Sequence, residues 1–130
     1  MNEMIEFLRA RLGEEQDAAE AASPGPWHLN AEHDEVHAVD GEVAAEAFAL
    51  SNNQLRRTAE HIARWDPERV LREVEAKRRL IEHCEDARRR ASEDEYDSEA
   101  AATRSALEDA LLAIASAHSG HPDFREEWLR

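Results

Sequence analysis

The stretch LSNNQLRRTAEHIARWDPERVLREVEAKRRLIEHC, Leu50 to Cys84, leaves the chain little freedom, because it specifies two helices and the corner between them. Ser51 is placed to cap the first helix, Gln54 sits three residues on to complete a capping box, and Leu50 and Leu55 occupy the two positions of a hydrophobic staple. The second start repeats the device, with Asp66 as cap, Pro67 at the first helical position and Trp65 and Val70 as the staple pair. Downstream, Val70, Val74, Lys77, Ile81 and Cys84 recur at the spacing of a helix–helix seam, with Leu71 and Leu80 alongside. The helix pair is expected over residues 51–91, its last turns fraying from Asp86 to Arg90.

The rest of the chain arranges itself around this pair. Ile5, Leu8, Leu12, Ala19 and Ala22 share one stripe at the helical period, which predicts a helix over residues 1–22. Ser23-Pro24-Gly25-Pro26 stops it, since proline lacks the N–H a helix needs. Residues 27–48 read as a β-hairpin region, with strands near Glu35–Val39 and Glu42–Phe48, Asp40-Gly41 as a two-residue turn, and Trp27–Leu29 as a third short strand. A last helix over 98–117 carries Leu107, Leu111, Ile114 and His118 on one face, with Gly120 as its expected cap and Pro122 as the stop. The tail, 118–130, brings Phe124 and Trp128, which are expected to fold back onto the helices. The predicted fold is α+β, mostly α: a four-helix arrangement with a small β-hairpin inserted between helices 1 and 2, all in a single domain of residues 1–130.

Composition narrows the function classes. Aromatic residues make up 5% of the chain and many apolar positions are alanine, so the core is thin and helix-built. No run approaches the roughly 18 apolar residues of a membrane helix, and MNEMIEFLRARLGEE lacks the basic-then-apolar order of a secretory signal. Cys84 is the one cysteine, which forbids an intramolecular disulfide and points to a reducing, cytoplasmic setting. The net charge of −14 is uneven. Residues 1–50 carry 2 basic and 12 acidic side chains, 51–91 carry 11 and 8, and 92–130 carry 3 and 10. Arg56, Arg57, Arg64, Arg69, Arg72, Lys77, Arg78 and Arg79 are dense, yet nearly every one has an acidic neighbour within a turn and the overall field is negative, which disfavours nucleic acid as a partner.

His28, His33, Asp34 and His37 crowd into ten residues. On one strand, His33, Glu35 and His37 would share a face as weak candidate metal ligands, although the spacing matches no closed zinc motif and the polar outer face of a half-buried hairpin explains it better. His83 and Cys84 are adjacent but point about 100° apart on a helix, a poor nucleophile–base pair. No serine elbow, glycine-rich phosphate loop or HExxH motif is present, so no catalytic residue and no cofactor is assigned.

With SPGPW at Ser23–Trp27, EHDEV at Glu32–Val36, AEHIARWDPERVLREVEAKRRLIE at Ala59–Glu82 and HPDFREEW at His121–Trp128, the chain resembles a family of small uncharacterised proteins from actinobacteria and their phages. It is similar, more loosely, to the Ea22-type phage early proteins. It departs from the family pattern at Trp65, where histidine is common, and in a longer, more charged segment over Arg88–Ser105. The resemblance implies a phage or actinobacterial setting and no known activity. The function expected is a non-enzymatic protein–protein interaction module, an acidic modulator or inhibitor of a host protein or a homodimer, with Phe124, Trp128, Arg72 and Arg79 as candidate partner-binding residues. The alternative is a metal-binding or histidine-assisted enzyme built on the His28–His37 cluster.

Overall fold

The helix starts predicted at Ser51 and at the Trp65–Pro67 corner both form in the computed structural model, which describes residues 1–130. The Ser51 hydroxyl accepts from the Gln54 N–H at 3.1 Å, and the Asp66 carboxylate accepts from the Arg69 N–H at 2.8 Å. The fold is α+β and mostly helical, as the sequence implies. Its helices are α1 (Asn2–Ala21), α2 (Asn52–Arg64), α3 (Pro67–Glu93) and α4 (Ser98–Ser116), followed by a 3₁₀ turn over Glu126–Leu129. Between α1 and α2 lie three short strands, β1 (His28–Leu29), β2 (Glu35–His37) and β3 (Val43–Glu46), in one antiparallel sheet of order β1-β2-β3. No helix is long and apolar enough to cross a membrane. The chain forms two compact units, Glu14–Val74 and Met1–Gly13 with Glu75–Arg130.

In the unit of Glu14–Val74, Val36, Ala47 and Ala59 are buried, and Trp27, Leu29, Ala44, Ala45, Leu55, Ile62 and Ala63 pack against them. Trp27 packs against this core, between sheet and helix. His28 pairs with His37 and Leu29 with Val36, while across the other ladder Glu35 pairs with Glu46, Val36 with Ala45 and His37 with Val43. The register skips Ala44, so β3 carries a one-residue bulge there. The bulge explains why neighbours Ala44 and Ala45 both reach the core, where a regular strand would send one outward. It leaves Val43 and Glu46 on the outer face with their cross-strand partners His37 and Glu35.

The β2–β3 connection differs from the predicted two-residue turn. The Gly41 N–H donates to the Ala38 carbonyl at 3.0 Å and the Ala38 N–H donates to the Glu42 carbonyl at 2.8 Å, which makes a three-residue loop of Val39, Asp40 and Gly41. Gly41 takes the left-handed position (φ 88°) that this loop needs and that glycine fills without strain. The Leu50–Leu55 staple also fails to form, because Leu50 is fully exposed while Leu55 joins the core.

In the second unit, Met4, Ile5, Phe7, Leu8 and Leu12 of α1, Ile81, Cys84 and Ala87 of α3, and Ala100, Leu111 and Ala115 of α4 are buried. The predicted fraying from Asp86 does not occur, and α3 stays helical to Glu93. Burial of Ala87 holds this segment in place, and Arg88 bonds Asn2 at 2.7 Å and faces Glu108 at 3.6 Å. Asp97 caps α4 by accepting from the Ala100 N–H. Gly120 does not cap its other end. Ala117 closes the helix in right-handed conformation, and a run of tight turns carries the chain on through His121.

Candidate functional site

The histidines of the hairpin do not form the line that strict alternation predicts. His33 lies outside β2, in the β1–β2 loop, in the left-handed region (φ 57°). The cause is Asn30, whose side-chain oxygen accepts from the Asp34 and Glu35 N–H groups at 3.0 Å and folds the loop around itself. Its amide donates to Asp34 and Glu35 in return. Glu35 and His37 do meet, at 3.3 Å, and the His28 and His37 rings stand 5.7 Å apart across the β1–β2 pair. No group of three or more His, Cys, Asp or Glu side chains is disposed to hold a metal ion.

The Trp65–Asp66–Pro67 corner ties several segments of the Glu14–Val74 unit together. Asp66 is only 7% exposed, and its second carboxylate oxygen accepts from the Trp27 N–H at 2.9 Å. The Trp27 indole N–H donates to the Ser23 carbonyl, and the Val39 N–H donates to the Pro24 carbonyl. The SPGPW turn is thereby tied to the start of α3 and to the hairpin loop. Gly25 belongs to this contact: a Cβ there would lie 3.0 Å from the Glu68 Cβ and 3.2 Å from an Asp66 carboxylate oxygen. Trp65 itself points outward and is 45% exposed. The Arg69 guanidinium lies 4.1 Å from the centre of its ring and the His61 ring 6.2 Å away. With Arg57, Glu60 and Arg64 they line a groove of about 420 Å³. Arg57 pairs with Glu60 and Arg69 with Glu73, whereas Arg64 has no acidic partner.

The C-terminal aromatics turn inward. Phe124 and Trp128 pack on Phe7 at ring separations of 5.9 and 5.3 Å, and His118 and His121 complete the cluster edge-on. The buried Arg11 guanidinium stacks on Phe7 and bonds the His121 ring at 2.9 Å. Arg72 and Arg79 are exposed and pair along α3 with Glu68 at 3.0 Å and Glu75 at 2.6 Å. Cys84 is fully buried, and burial pushes its thiol up, with Glu108 and Glu85 adding to the shift and Arg88 opposing it. We expect iodoacetamide at about pH 8 to leave Cys84 unlabelled in the native chain and to label it in urea; equal rates in both would contradict its burial. Above the ordinary thiol range the unfolded chain gives up a proton that the folded one keeps, so stability falls there as pH rises.

The segment from the hairpin loop to α2 carries four exposed apolar side chains. Phe48 is 82% exposed and Leu50 fully so, in the connection from β3 to α2, and Val43 and Val39 are about half exposed nearby in sequence. Sequence reasoning placed Phe48 at a strand end and Leu50 in a staple, and so missed both. The signal available was the Phe-Ala-Leu run directly before the Ser51 cap, in a span that has ten acidic side chains and no lysine or arginine between Arg11 and Arg56. A strand on one side and a capped helix on the other fix the ends of this short loop.

A family model described as a family of unknown function (DUF6221) matches residues 1–130. No curated protein and no solved structure matches the chain.

Proposed function

Because the chain belongs over its whole length to the DUF6221 family, whose function is unknown, its own surface has to supply the reading, and we propose that it is a non-enzymatic protein-binding module. Its acidic, apolar surface around Phe48 and Leu50 takes a basic region of a partner protein, and the setting suggested by its motifs is an actinobacterium or one of its phages, where it acts as a modulator of that partner. The observation that carries this reading is the pair of side chains held in water. Burying each against a partner is worth about 1.5–3 kcal/mol, enough to anchor a contact. The surrounding acidic span selects for a basic partner and against nucleic acid.

The test compares the full-length protein with a Phe48→Ser/Leu50→Ser variant as baits in an actinobacterial lysate. The parent should retain one basic protein stoichiometrically and the variant should lose it. Because neither side chain packs in the fold, the variant's stability should lie within about 0.5 kcal/mol of the parent. Equal retention by both baits, or by neither, would count against the reading.

A further inference from the structure

The partner chemistry that this surface calls for, basic with an exposed aromatic floor, is present on the chain itself. The groove at the end of α2 is lined by Arg57, Arg64 and Arg69 with Trp65 and His61, against one carboxylate, Glu60. It is a local excess of positive charge on a chain of net charge −14. Arg64 has no counter-ion, and nearly half of the Trp65 surface is in water. The exposed ion pairs of Arg57 and Arg69 are of the weak kind that yields readily to a competing carboxylate.

We propose that the Phe48–Leu50 loop of one copy docks on the Trp65 groove of a second copy, a deepening that rests on the reading of Phe48 and Leu50 as a protein-binding surface. The apolar side chains meet the indole, and Glu46 and the neighbouring acidic residues meet the guanidinium groups. The contact cannot close within one chain. The loop precedes α2, whereas the groove begins at Arg57, about 8 Å along the helix, and ends at Trp65, so the 13 residues of rigid α2 hold the indole about 20 Å from the loop. Two copies with α2 antiparallel satisfy both grooves at once, which gives a closed, two-fold contact in which each copy lends its loop and offers its groove. Arg57, His61 and Arg64 fall at helical spacing on one side of α2, so the helix presents the groove as a single face.

Light scattering and sedimentation of the untagged full chain, from low to high micromolar, test this directly. The parent should form a dimer. Phe48→Ser/Leu50→Ser, which removes the loop contact, and Arg64→Glu with Trp65→Ser, which removes the groove, should each weaken dimerisation by at least tenfold. Arg64→Glu alone changes only an exposed side chain and guards against a folding defect at the corner. Mixing the loop variant with the groove variant should restore association in part, because the mixed pair keeps one intact contact of two. A parent that stays monomeric overturns the proposal, as does a dimer that neither variant disturbs or a mixture that fails to recover. If the parent is monomeric and the loop variant still loses its basic partner in the lysate, self-association falls and the protein-binding reading stands. If loop and parent baits also behave alike, both fall.

Discussion

Replacing Asp66 by alanine should destabilise the protein by about 2–4 kcal/mol. The carboxylate is nearly buried and holds two backbone N–H groups, those of Arg69 in the first turn of α3 and of Trp27 in the SPGPW turn. Bonds of this kind, to a charged acceptor out of water, are stronger than neutral ones. Alanine removes the cap, worth about 0.5–2 kcal/mol, and leaves the Trp27 N–H without its acceptor at a cost of about 1–3 kcal/mol. Asp66→Asn keeps the size and one acceptor oxygen, so it should recover about half of the loss. Urea unfolding of the three proteins gives the order, and an alanine variant as stable as the parent would mean that the corner is held by something else.

Phe7→Ala should have an effect of similar size, about 3–5 kcal/mol, the range for emptying a buried phenyl site. Phe7 is the side chain on which Phe124, Trp128, His118 and His121 converge, and Arg11 stacks on its ring. Trp128→Ala removes a half-buried partner at the edge of the same cluster and should cost less, about 1–2 kcal/mol. Loss of Phe7 should also speed tryptic cleavage at Arg125, whose chain is held by the ring contacts on either side and by an ion pair with Glu3 at 3.0 Å. Unchanged cleavage in a destabilised Phe7→Ala protein would show that the tail docks independently of that ring.

What could be read in advance follows from how local the signals are. Ser51, Asp66 and Pro67 act within one helical turn, and the helix starts near them are where the sequence puts them. The errors arise where a tertiary contact decides. Asp86–Arg90 looks ready to fray because its charges dominate the string, but burial of Ala87 and the contacts of Arg88 with Asn2 and Glu108 hold it helical. His33 falls in alternation with Glu35 and His37 on paper, but the Asn30 side chain bends the loop and removes it from the strand. The bulge at Ala44 leaves no mark in the string that a run of alanines would betray. The exposed pair Phe48 and Leu50 is harder still, since exposure of an apolar residue depends on what the rest of the chain fails to place over it.

Charge and exposed apolar side chains reside on different residues of the acidic span, and in the proposed complex that would separate how fast a partner arrives from how long it stays. The ten carboxylates between Arg11 and Arg56 cast a field that draws a basic surface in from a distance, so the rate of encounter falls as salt is added. Residence in the proposed contact would rest on the short-range burial of Phe48 and Leu50, which salt barely touches. Substitutions can therefore drift among the acidic positions and retune arrival, while the two apolar side chains keep the lifetime of the contact fixed.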